Sequence, residues 1–159
     1  GTFEEHPRPD LIVFPGGYGT RALMTDDRVL DWLRTAHPTS TFTTSVCTGS
    51  LVLAAAGLLD GLTATTHWAE RHVLDANGAT AVPSRVVEHL DRRIITAAGV
   101  SSGIDMALRL VEILFDTTAA QASQLMIEYD PQPPFDCGAL EKADDTVITR
   151  VIEYAQLRE

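Results

Sequence analysis

Residues 43–57, TTSVCTGSLVLAAAG, join two patterns that cannot belong to one element. Thr41 to Val46 is rich in β-branched residues and reads as a strand. Leu51 to Ala56 is apolar all round and reads as a central helix, with Gly57 placed to end it. Cys47 stands at the joint. A thiol there is either a small buried hydrophobe or a nucleophile at the positive end of a helix. SVCTG has the form small-x-nucleophile-x-Gly between strand and helix, which is nucleophile-elbow logic with sulfur in place of serine oxygen. The N–H groups of such a helix favour the thiolate, and Gly49 permits close packing just past the sharp turn.

Working outward, the flanks repeat the same alternation. Leu11–Phe14 is a short apolar run closed by Pro15-Gly16-Gly17 and suits a strand buried on both faces. A helix follows, opened by Asp26 and Asp27 and spaced by Val29, Leu30 and Leu33. LTATTHW (62–68) predicts a short strand running into a helix over AERHVLDANG, stopped by Gly78. RVVEHLDRRIITAAG (85–99) predicts two strands joined by a tight turn at Leu90–Arg93. Ser101-Ser102 then caps a long apolar helix, with Asp105 as its capping-box acid. TTAAQASQLMIEY is a further helix, DPQPPFDCG a Pro-rich surface loop, and TVITRVIEYAQL a terminal helix. Strands alternating with helices mean an α/β fold with a mostly parallel sheet.

Composition narrows the function. A chain of 159 residues fits one domain with a sizeable core. Twelve basic against 22 acidic residues give a net charge of −10, and so acidic a surface disfavours nucleic acid. Two cysteines, Cys47 and Cys137, do not make a disulfide framework and point to a reducing, cytoplasmic setting. The longest apolar run, Leu51 to Leu59, is too short to span a bilayer, so no membrane partner is expected, and the polar start carries no signal-peptide core.

Three other stretches compete for attention. Gly17-Tyr-Gly19-Thr-Arg-Ala22 matches G-x-G-x-x-G/A after a strand, but the next strand ends in Cys47 rather than in the acid a dinucleotide site requires. The alternatives are a plain turn or a backbone N–H that pairs with the Thr48 N–H as an oxyanion-type donor set. His67 and Trp68 fall where a strand ends, at the carboxyl edge where open α/β sheets place their sites. His67 either orients substrate or tunes the thiol, or it is a packing histidine. His67 and His72 are five apart, which fails the helical zinc pattern. Cys137 reads as a spare thiol.

The stretches PGGYGTRALMTDDRVLDWLR, TSVCTGSLVLAAAGLLDGLTATTHW, AAGVSSGIDMALRLVEILFD and QLMIEYDPQPPFDCG together resemble the ThiJ/PfpI superfamily, the class I glutamine-amidotransferase-like fold. Within it they look most like isonitrile (isocyanide) hydratases. The resemblance covers nearly the whole of residues 1–159 and implies a single flavodoxin-like domain, doubly wound, with helices on both faces of the sheet. It carries Cys47 onto the nucleophile, Thr48 onto the residue after it, and Gly17 onto the opposing backbone donor. Gly99 and Val100 fall on the segment leading into the helix beside the pocket. It also implies no metal or organic cofactor, a homodimer, and an isocyanide as the small-molecule substrate.

The implied reaction is hydration of R–N≡C to an N-substituted formamide through a Cys47 thioimidate. Relatives of this type begin with a further strand and helix that supply an Asp or Glu beside the cysteine. An N-terminal βα unit, roughly 30 or more residues, is therefore expected to be missing here. No acid in the chain maps onto that role. Two alternatives stay open. One is a non-catalytic ligand-sensing domain, since similar CTG…AGLLDG..ATTHW blocks occur in transcription regulators. The other is a redox or stress protein using Cys47 as an oxidation sensor. A hydrolase or glyoxalase of the same superfamily generally wants His where Thr48 stands.

Overall fold

The computed structural model describes residues 1–156. Strand β1 (Leu11–Phe14) pairs in parallel with β2 (Phe42–Val46). The hairpin expected over 85–99 forms as β5 (Val86–His89) and β6 (Ile94–Ala97), and β6 lies parallel to the other flank of β2. The sheet order is β1–β2–β6–β5 with only β5 antiparallel. A two-stranded parallel pair, β3 (Thr63–Ala64) and β4 (Thr80–Ala81), stands apart, and β4 had no sequence signal of its own. A tight Leu90–Arg92 turn closes the hairpin, and Arg93 adopts a left-handed φ of 57° while its guanidinium reaches the Pro38 and Ser40 carbonyls.

Helices lie on both faces, the doubly wound, flavodoxin-like arrangement. Helix α1 (Thr20–Leu23) is a single turn; α2 (Asp27–Ala36) is capped by Asp26, whose side chain accepts from the Arg28 N–H. Helix α3 (Gly49–Ala55) is buried on all sides, as its apolar sequence requires. With α2 and α4 (Arg71–Ala76) it encloses Ile12, Phe14, Leu33, Leu53 and Leu74 on one face of the sheet. On the other face α5 (Ser102–Leu114) packs Met106 and Leu110 onto Phe42, Ile95 and Ala97. Helices α6 (Thr117–Met126) and α7 (Asp145–Gln156) follow; Leu157, the end of the expected terminal helix, lies outside the described residues. No described helix is long and apolar enough to cross a membrane.

Two expectations change. Strand β1 is buried on one face only: Ile12 and Phe14 enter the core, whereas Leu11 and Val13 are 38% and 50% exposed. The reason is position, because α5 lies over β5 and β6 and β1 is an edge strand. Asp105 does not cap α5. It takes the guanidinium of Arg85 at 2.5 Å and the hydroxyl of Tyr129 at 2.8 Å, and the start of α5 has no side-chain cap. A charge-assisted pair outcompetes the local capping bond.

Candidate active site

Cys47 sits where β2 ends, and the chain reverses there into α3 with Thr48 at the N-cap. Its φ is +56°, a left-handed conformation that costs a non-glycine residue about 1–2 kcal/mol. The backbone holds it there. The Cys47 N–H is shared between the carbonyls of Ala97 at 3.0 Å and Ala98 at 2.8 Å. Its carbonyl accepts from the hydroxyls of Ser50 and Thr66, each at 3.1 Å. The thiol is free and the residue half-buried.

The glycine turn after β1 is locked to this elbow. The Gly17 N–H donates to Thr48 Oγ1 at 2.9 Å, and the Thr48 hydroxyl lies 3.2 Å from the Gly17 carbonyl. Buried Thr20 closes the cluster, its hydroxyl 2.8 Å from that carbonyl and 3.1 Å from Thr48 Oγ1. The Gly17 N–H is thus engaged by a hydroxyl, so in this arrangement it does not form the free donor pair expected with the Thr48 N–H. Gly16 approaches the elbow closely: a β-carbon there would lie 2.9 Å from the Thr48 nitrogen. Gly49 is equally constrained, because a β-carbon on it would run into the Phe14 carbonyl and stand 2.8 Å from that of Pro15.

His67 stands at the end of the β3 segment with its ring 5.6 Å from that of Trp68. Its Nδ1 accepts a long bond (3.4 Å) from the Ala69 N–H, which leaves the proton of a neutral ring on Nε2. Burial holds its pKa below the ordinary imidazole value; Glu70 opposes this and Arg21 reinforces it. His67, Gly99 and Val100 all border one cavity of about 630 Å³. Gly99 packs near the His67 ring, and Val100 is exposed at the rim. The cavity's far wall is the segment from Pro133 to Lys142, so the Pro-rich stretch read as a surface loop is also a wall. A larger opening of about 770 Å³ follows the free edge of β1 from Trp32 to Gly16 and Thr20.

The structure therefore ties Thr48, next to Cys47, to Gly17 through hydrogen bonds and sets His67, Gly99 and Val100 around a cavity that Thr66, bonded to the Cys47 carbonyl, also lines. Cys137 is exposed on the loop. Sequence reasoning missed Gly16, Thr20 and Thr66. The doubled glycine after Pro15 was the one available signal for Gly16; nothing local marked either threonine. Among the described residues no His, Cys, Asp and Glu side chains cluster to hold a metal ion.

A family model described as the DJ-1/PfpI family matches residues 3–113. The isonitrile hydratase of Pseudomonas putida is 47% identical over 147 residues, covering 92% of this chain. The chain spans 64% of that relative's length. A crystal structure of a THiJ/PfpI family protein from Pseudomonas syringae superposes with a TM-score of 0.86 at 42% identity, covering 94% of this chain and 62% of that one. The HTH-type transcriptional regulator CdhR of Pseudomonas aeruginosa is 29% identical over 132 residues, which is 83% of this chain and 37% of the regulator.

Proposed function

This chain belongs to the DJ-1/PfpI family, and from that premise we propose that it is a cysteine-dependent isonitrile hydratase. The observation that carries the reading is the 47% identity to the P. putida hydratase over a region that includes the elbow cysteine. Cys47 is the proposed nucleophile. Its sulfur bonds to the terminal carbon of R–N≡C as the thiolate, and a proton delivered to that carbon gives the thioimidate R–N=CH–S–Cys47. Water then adds across C=N, the carbon–sulfur bond breaks, and R–NH–CHO leaves as the thiol is restored. Two easier steps replace direct attack by neutral water.

Thr48 positions rather than reacts in this scheme, since its hydroxyl is committed to the Gly17 turn. His67 lines the cavity as a neutral ring with its proton on Nε2, because burial holds its pKa below the ordinary imidazole value, and this makes it the candidate donor to the adduct or the group that orients the attacking water. The working unit is proposed to be a cytoplasmic homodimer needing no cofactor. Turnover of p-nitrophenyl isocyanide by the full chain tests the reading. Cys47→Ala should abolish it by about 10³-fold or more, and mass spectrometry should trap the substrate on Cys47. Turnover surviving that substitution would refute the mechanism.

Similarity to a transcription regulator supports a second reading, a small-molecule sensor. The two separate on the thiol: a sensor binds without turnover and goes on binding in Cys47→Ala.

A further inference from the structure

The cavity beside the elbow has an electrical character opposite to that of the chain. The protein carries a net charge of −10, yet Arg71, Arg85 and Lys142 line this cavity against a single carboxylate, Asp136. Lys142 is paired with Asp136 inside the lining. The partners of the two arginines, Glu141 on Arg71 and Asp105 on Arg85, are not among the lining residues. The lining thus has an excess of two positive charges. Arg71 also keeps its Nε–H buried with no acceptor among the described residues. That nitrogen is enclosed by protein, and what Arg71 offers the cavity is the rest of its guanidinium, a planar fork of N–H groups suited to carboxylate.

The rest of the lining fits a body between that charge and the thiol. Trp68, Phe135 and Leu140 give it apolar surface. Thr66 and Ala98, which hydrogen-bond the carbonyl and N–H of Cys47, form the end nearest the elbow. A volume of about 630 Å³ accommodates an aryl group with a polar substituent.

Resting on the hydratase reading, we propose that the substrate is an isocyanide whose substituent carries a carboxylate. The isocyano carbon meets Cys47, the apolar body lies along Trp68 and Phe135, and the carboxylate faces Arg71 and Lys142. A carboxylate bonded to a desolvated guanidinium contributes about a 10- to 100-fold preference over a neutral group of the same size.

The test is the ratio of kcat/KM for 4-isocyanobenzoate to that for 4-isocyanotoluene. The wild-type ratio should be about 10 or more, falling as salt is raised. It should collapse toward unity in Arg71→Gln, survive in Arg71→Lys, and rise in Glu141→Gln, where Arg71 is freed. A structural role for Arg71 would lower both substrates together and leave the ratio in place. A ratio at or below unity, with turnover of the neutral compound still dependent on Cys47, overturns this inference and leaves the hydratase reading standing. If neither compound is turned over, the hydratase reading falls, and binding of the two formamides, followed by tryptophan fluorescence, judges the cavity alone. Tenfold tighter 4-formamidobenzoate supports an anion-selective pocket; equal binding overturns it.

Discussion

A β-carbon built on Gly16 would stand 2.7 Å from the β-carbon of Cys47, so the turn after β1 and the elbow after β2 meet with no room for a side chain between them. Gly16→Ala must therefore push the elbow away, since the other near atoms, the Thr48 nitrogen and the Val46 carbonyl at 3.0 Å, are backbone. Overpacking of this kind destabilises by about 1–3 kcal/mol. A displacement near 1 Å at a nucleophile lowers turnover by about 10²-fold. Parallel thermal melts and isocyanide kinetics should show a modest fall in Tm and a much larger fall in kcat. Unchanged kinetics would mean that the turn does not position the thiol.

Gly49→Ala sets two effects of opposite sign against each other. Within an exposed helix the change stabilises by about 1 kcal/mol. Here the new methyl meets the carbonyl oxygens of Phe14 and Pro15, which belong to the edge strand and the turn and cannot swing aside as a side chain would. The clash wins, with a net destabilisation of about 1–3 kcal/mol read as a lower urea midpoint. A higher midpoint would show that α3 can slide along the sheet.

The two thiols test the assignment of the nucleophile. Cys137 is exposed and Cys47 half-buried, so access alone directs alkylation to Cys137. A reactive nucleophile at the elbow reverses that order. With limiting iodoacetamide below neutral pH, peptide mapping should find the adduct on Cys47 first. Preferential labelling of Cys137 would remove the case for Cys47.

How much of this could be read from the chain depends on the sequence distance over which each feature is specified. Cys47 was legible because strand, turn and helix signals are contiguous from Thr41 to Gly57, and the helix caps at Asp26 and Gly57 obey local rules. The lock between Gly17 and Thr48 spans 31 residues and the bond from Thr66 to Cys47 spans 19, with no periodicity to announce either. Asp105 misled for the same reason: its local pattern says cap, whereas its partners lie 20 and 24 residues away. The loop over Pro133–Gly138 looked like plain surface because proline-rich composition marks irregular backbone and says nothing about what that backbone covers.

Acid should destabilise the fold through His37. Its Nδ1 is 2.9 Å from Thr43 Oγ1, and burial, then Arg93 and Arg92, hold its pKa below the ordinary imidazole value. The folded state thus binds fewer protons than the unfolded chain. Its contribution is complete above the unfolded value near pH 6.5 and is lost as pH falls through the lower folded value. His37→Gln should flatten the decline of the urea midpoint between about pH 6.5 and 5 relative to wild type. Parallel curves would assign the decline to other groups, His67 foremost, since its value is lowered in the same direction.

Every hydrogen bond that fixes residue 47 among the described residues runs through its N–H or its carbonyl, and the side chain holds nothing. The seat is therefore indifferent to its occupant, apart from the strain any residue but glycine bears there. Exchanging the sulfur for a hydrogen removes the proposed nucleophile and leaves the turn, the cavity and its charges in place. On the proposed reading, a catalyst and a receptor for the same molecule then stand a single codon apart within one gene lineage. A duplicated copy can cross from one trade to the other without passing through an unfolded intermediate sequence.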